Sequence, residues 1–147
     1  LKNLNDSLMN RKTITTIIIV ILITGLIIYG AGVIKQKQKK LIPFSQWPQI
    51  QFKDVRVLIA TEPKYAHQGF AGAKEEDFKN TIIIFPDITG GTAFTNQDQG
   101  YGPVIKDIKI VYLDGCMNIL KEDILVKETG ISVAPEGTRI AIEGALP

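Results

Sequence analysis

The sequence predicts a mainly β protein on a membrane tether. It reads as an N-terminal transmembrane helix followed by a small, mostly antiparallel β-sandwich or partly closed barrel with one short helix. Three observations carry this. Residues 13–34, TITTIIIVILITGLIIYGAGVI, hold no charged side chain and lie between Arg11-Lys12 and Lys35-Gln-Lys-Gln-Lys-Lys40. Beyond residue 52, apolar residues recur with period two in short runs, the pattern of half-buried strands. Between those runs stand turn-forming segments: Pro86-Asp87, Gly90-Gly91, Asp114-Gly115 and Pro135-Glu-Gly137.

The apolar run has the length a bilayer requires. At about 1.5 Å per residue, about 20 apolar residues cross a hydrocarbon core of roughly 30 Å, and a helix is the single segment that satisfies its own backbone there. Residues 1–12 form a polar lead, in which Met9 before Asn10-Arg11-Lys12 is a candidate natural start. Gly30-Ala31-Gly32 has the small residues that a signal peptidase needs, but the run continues through Val33-Ile34, longer than a usual signal core. An uncleaved anchor is the expectation. A literal count of flanking Lys and Arg favours a cytoplasmic domain. A short basic lead followed at once by a long apolar run is instead the form of an N-in signal-anchor, and Lys35, Lys37, Lys39 and Lys40 can lie against anionic headgroups. The domain is therefore read as extracytoplasmic, at the cell membrane on a single pass.

Charge divides the same way. Residues 1–40 carry seven Lys/Arg against one acid, or +6, while residues 41–147 carry ten against fourteen, or −4. The overall +2 thus hides a mildly acidic domain, and a nucleic-acid binder, which needs a basic patch, is disfavoured. The lone Cys116 reads as a small buried apolar side chain without a disulfide.

In chain order, 35–51 is a basic stalk containing Pro43 and Pro48, in which Phe44 and Trp47 either lie at the membrane interface or cover one end of the domain. The β-rich domain occupies 52–147. Val55, Val57 and Ile59 face one way in a first strand. Thr61 suits a helix N-cap and Pro63 a first turn, with the helix ending at Gly69. Residues 73–80 are charged apart from Phe78. Thr81–Phe85 is apolar on both faces and reads as a central strand. Thr92–Thr95 forms a short strand and 96–103 a polar loop. In residues 105–113, Ile108, Ile110 and Tyr112 alternate with Asp107 and Lys109. Asp114-Gly115 signals a tight turn, with residues 116–120 returning and 124–126 a further apolar run. The last strand, Thr138–Glu143, is expected to point Ile140 and Ile142 inward.

Several of these segments together resemble the domain-of-unknown-function family 192, small and often membrane-anchored or secreted prokaryotic β-domains. The segments are Ile59-Ala-Thr61 followed by Gln68-Gly69-Phe70-Ala71-Gly72; Ile82-Ile83-Ile84-Phe85; Phe94-Thr95-Asn96; Asp107-Ile108; Asp114-Gly115; and the closing Glu143-Gly144. The likeness spans roughly 52–146. Phe-Thr-Asn stands where the family has Met-Lys-Asn, 97–102 looks like an insertion, and Lys106 replaces a Leu. The resemblance implies a fold more than a function, since the family has no established activity.

No catalytic residue, metal site or cofactor site is legible. His67 has no partner at ligand spacing and reads as a surface or capping residue. Glu75-Glu76-Asp77 project in different directions and read as a solvated face. Gly90-Gly91 and Gly100-Tyr-Gly102 lack a phosphate loop's Lys-Ser/Thr, and Ser45 and Ser132 stand in unremarkable surroundings. One polar cluster is site-like: Asn96, Asp98, Tyr101 and Asp107, on loops that gather side chains at one end of a β fold. Asn and Asp also commonly bond their own turns. The expected role is a non-catalytic binding or interaction module at the membrane, with the lipid bilayer and a small ligand or envelope protein as partners and no nucleic acid. One alternative is an envelope enzyme with hydrolytic or transfer chemistry at Asp98/Asp107. Another is a pilin-like subunit, ranked last because the apolar run lacks a Glu near its start and any polar continuation of the helix before Pro43.

Overall fold

A computed structural model describes residues 38–147; the proposed anchor at 13–34, Lys35 and Lys37 lie outside them. Residues 38–147 form one compact unit. Among the described residues no helix is long and apolar enough to cross a membrane.

The domain is mainly β. Six strands form one mixed sheet: β1 (Gln49–Phe52), β2 (Val55–Ile59), β3 (Thr81–Pro86), β5 (Ile108–Leu113), β6 (Ile119–Leu125) and β8 (Ile140–Ala145), in the order β1-β2-β3-β8-β5-β6. β4 (Ala93–Thr95) and β7 (Ile131–Val133) pair antiparallel as a separate ribbon. Four of the five pairings in the large sheet are antiparallel, as expected, but β2 and β3 run parallel. That pair corrects the expected sandwich or partly closed barrel. Parallel neighbours need a long crossover, and here it carries two short helices, α1 (Pro63–Gln68) and α2 (Glu75–Phe78), instead of one. With the crossover, a 3-10 turn at Phe44–Gln46 and the β4–β7 ribbon supplying its cover, the large sheet stays open, with β1 and β6 as its edges.

Register decides which residues face the core. Leu58 pairs with Ile83, Ile83 with Glu143, and Glu143 with Ile110, so these four share one face. Leu58, Ile83 and Ile110 are fully buried there, with Phe85, Tyr112 and Leu125 beside them. The aromatic cover includes Trp47 on Tyr65 (4.8 Å between ring centres), Phe70 on Phe78 (5.1 Å) and Phe94 on Phe85 (5.2 Å). Phe44 and Trp47 belong to this core, and Trp47 Nε1 donates to Ile42 O. Of the two readings offered for them, the structure shows a covered end of the domain.

One facing differs from expectation. In β2, Val55, Val57 and Ile59 share one face as expected, while Leu58 on the other face makes the main core contact. In β8, Ala141 and Glu143 point inward, while Ile140 and Ile142 lie half-buried on the other face. α1 begins after Glu62 rather than Thr61, with Pro63 in its first turn, and ends at Gly69. The Asp114 turn is wider than a two-residue hairpin. Asp114 Oδ1 accepts from the Cys116 and Asn118 amides, and Met117 takes the left-handed backbone at φ +67°. Cys116 is exposed on this turn, not buried.

Candidate functional site

α1, the end of β4 and the inward face of β8 enclose a cleft of about 470 Å³. Its lining includes Gln68, Phe70, Phe85, Phe94, Asn96 and Glu143, with Ala66, His67 and Lys39 towards solvent. Glu143 is 6% exposed. No described residue gives it a hydrogen bond or an ion pair, and desolvation alone pushes its carboxyl up to about 8. A buried carboxylate without a partner is costly, so the group holds its proton near neutrality. Gly69, at φ +51°, brings the end of α1 close to this carboxyl: a Cβ there would stand 3.6 Å from Glu143 Oε2.

A larger cleft of about 730 Å³ lies between α2 and the chain's C-terminal residues. Its lysine Lys106 is bound to Glu75 at 2.6 Å, and Glu75, Glu76 and Lys79 are exposed. Size favours this second cleft, but chemistry favours the first, where a buried ionisable group stands without a partner among the described residues.

Of the four residues expected to form a site, only Asn96 lines the Glu143 cleft. It is 2% exposed, and its Nδ2 donates to Leu125 O (2.8 Å), Val126 O (3.2 Å) and Lys106 O (3.3 Å). Asp107 Oδ1 accepts from Lys127 N at 2.7 Å, so Asn96 and Asp107 clasp the same segment after β6. Asp98 Oδ1 closes its own loop by accepting from Gly100 N (2.6 Å) and Gly102 N (2.9 Å). Tyr101 packs against the core edge beneath Lys39, whose Nζ lies 4.9 Å from the ring centre. Lys40 is exposed, and His67 is a surface residue at the cleft's lip.

The sequence reading passed over a second polar group. Ser132, 3% exposed, accepts from Tyr112 Oη (2.8 Å) and Lys121 Nζ (3.4 Å) and donates to Asp123 Oδ2 (2.8 Å). Lys121 and Ser132 hold Asp123 at about 2, while burial raises the Tyr112 phenol. Every polar atom here is engaged, so the cluster ties β7 to β5 and β6 and offers no free nucleophile. Among the described residues no three His, Cys, Asp or Glu side chains converge as a metal-ligand set.

Glu143 was missed as a site because Ile140 and Ile142 look like the inward pair of β8. The one signal that singled it out was its place as the closing Glu of the family resemblance. Comparison with family models, with curated proteins and with solved structures finds no match to this chain.

Proposed function

We propose that this protein is a non-catalytic binding module, held at the membrane by residues 13–34 with its domain outside, whose small ligand enters the cleft over Glu143. One observation carries this reading: a carboxyl 6% exposed, without a partner among the described residues, at the wall of a cleft of about 470 Å³. A fold that only needed a packed sheet would gain from an apolar residue between Ile83 and Ile110. The rival chemistry at Asp98 and Asp107 has less support, because both carboxylates are committed to backbone amides.

Kinship with the domain-of-unknown-function family 192 is part of the same proposal. Residues behind that resemblance, Gln68 to Ala71, Phe85, Phe94 to Asn96 and Glu143, come from distant parts of the chain and line this one cleft. A solved family member with a different strand order would refute the kinship.

Ala66 offers a clean test of the cleft, since it is exposed on α1 and lines the opening. The full chain in detergent is melted against a library of small metabolites, in parallel with Ala66→Trp. The expected result is one or more compounds that raise the wild-type Tm but not that of Ala66→Trp. Equal shifts in both proteins would place binding elsewhere, and no shift with any compound would count against a small-ligand role.

A further inference from the structure

The cleft's polar atoms are unevenly used. The Gln68 amide is spent on Ile42 in both directions, accepting from its N–H (2.9 Å) and donating to its carbonyl (3.0 Å). Thr95 Oγ1 donates to Gly130 O and accepts from Gln97 N. Asn96 spends Nδ2 on three carbonyls, which leaves Oδ1 as its acceptor without a described donor. Glu143 has neither a donor nor a cation among the described residues. Among the buried side chains of the lining, the groups without a described partner are therefore acceptors, and a ligand that reaches them must donate.

The walls narrow the class further. Phe70, Phe85 and Phe94 line the same space, and aromatic faces attract cations, more strongly where water is excluded. The remaining titratable groups of the lining, Lys39 and His67, are exposed on the solvent side. The Lys39 ammonium disfavours a second positive charge on the ligand and leaves the carboxyl for a single cationic head. We infer that the cleft takes a small organic monocation, an alkyl or arylalkyl ammonium. Its head sits on the Glu143 carboxylate and Asn96 Oδ1, and its hydrocarbon lies against the phenylalanines. This rests on the reading of the cleft as a ligand site and names the class of ligand.

The proton supplies a signature. Empty, Glu143 keeps its proton up to about pH 8. An ammonium head displaces that proton to solvent, so the apparent affinity follows the ionised fraction of Glu143 and rises about tenfold from pH 7 to pH 9. A simple alkylamine, with a pKa near that of lysine at about 10.4, stays cationic throughout. A neutral or anionic acceptor would use the protonated carboxyl and weaken over the same range.

The test is a methyl chemical-shift titration of the full chain in detergent micelles at pH 7, 8 and 9. The probes are n-butylammonium, n-butanol and butyrate, similar in size and differing in charge. The expected result is tightest binding of butylammonium, strengthening about tenfold across the range and lost in both Glu143→Gln and Ala66→Trp. Butanol or butyrate binding better than the amine, yet still blocked by Ala66→Trp, would overturn the ligand class and leave the cleft as a binding site. Amine binding that is indifferent to Glu143→Gln would also overturn it. Binding of none of the three, or binding untouched by Ala66→Trp, would overturn the ligand class and the cleft together.

Discussion

At Glu143 the folded and unfolded chains hold a proton with different strength, and that difference makes stability depend on pH. The carboxyl titrates at an ordinary 4.5 when exposed and at about 8 in the fold. Below 4.5 both states are protonated and the group is neutral in the balance. Between 4.5 and 8 the unfolded chain ionises while the folded one does not, so stability falls as pH rises and levels off above 8. The full difference corresponds to about 5 kcal/mol, a large share of the stability of a small domain. Glu143→Gln keeps the shape and removes the titration. Urea denaturation at pH 5 and pH 8.5 is expected to show the variant gaining on wild type by several kcal/mol at the higher pH. Parallel pH profiles for the two proteins would mean that Glu143 ionises in the fold as readily as in the unfolded chain.

The strands differ in how plainly their sequences announce them. β5 was legible because Ile108, Ile110 and Tyr112 are large, stand on the side opposite Asp107 and Lys109, and fill the core face. β3 was legible as an interior strand because it is apolar on both faces. β8 was misread because its inward residues, Ala141 and Glu143, are small or charged, while Ile140 and Ile142 decorate the other face. Only pairing with β3 and β5 fixes that choice, and pairing is long-range. β1 (QIQF) and β7 (ISV) are short and exposed along most of their length, so periodicity had little to register. Asn96 was recognised as special, but the sequence could not show that its partners are backbone carbonyls about 30 residues away. This clasp fixes the end of β6 to the loop after β4. Asn96→Ala would take the Nδ2 donor from the Leu125 and Lys106 carbonyls, while Val126 O keeps the Thr129 and Gly130 amides, and is expected to cost about 2–3 kcal/mol in chemical denaturation. Asp98→Ala opens only an exposed loop and is expected to cost about 1 kcal/mol. A ligand-contact role without a structural one would give the opposite signature, with Asn96→Ala melting like wild type.

For the whole molecule, the compact unit begins at Gln38 and closes over Trp47, so little chain separates it from the proposed span ending at Ile34. That arrangement allows orientation to be read by proteolysis. Lys39 and Lys40 are exposed, and Lys40 precedes Phe44, the first buried side chain among the described residues, whereas a lysine within a paired strand resists cleavage until the strand opens. Trypsin added to intact spheroplasts is therefore expected to cut the domain, after Lys40 and at exposed turn lysines such as Lys53, Lys79 and Lys127. N-terminal sequencing of the released pieces identifies the sites. Protection until the membrane is lysed would place the domain in the cytoplasm, as the literal count of flanking lysines implies. The two outcomes also redirect the search for a ligand, because an outside cleft would meet amines of the medium and envelope, and an inside one the cytosolic amine pool.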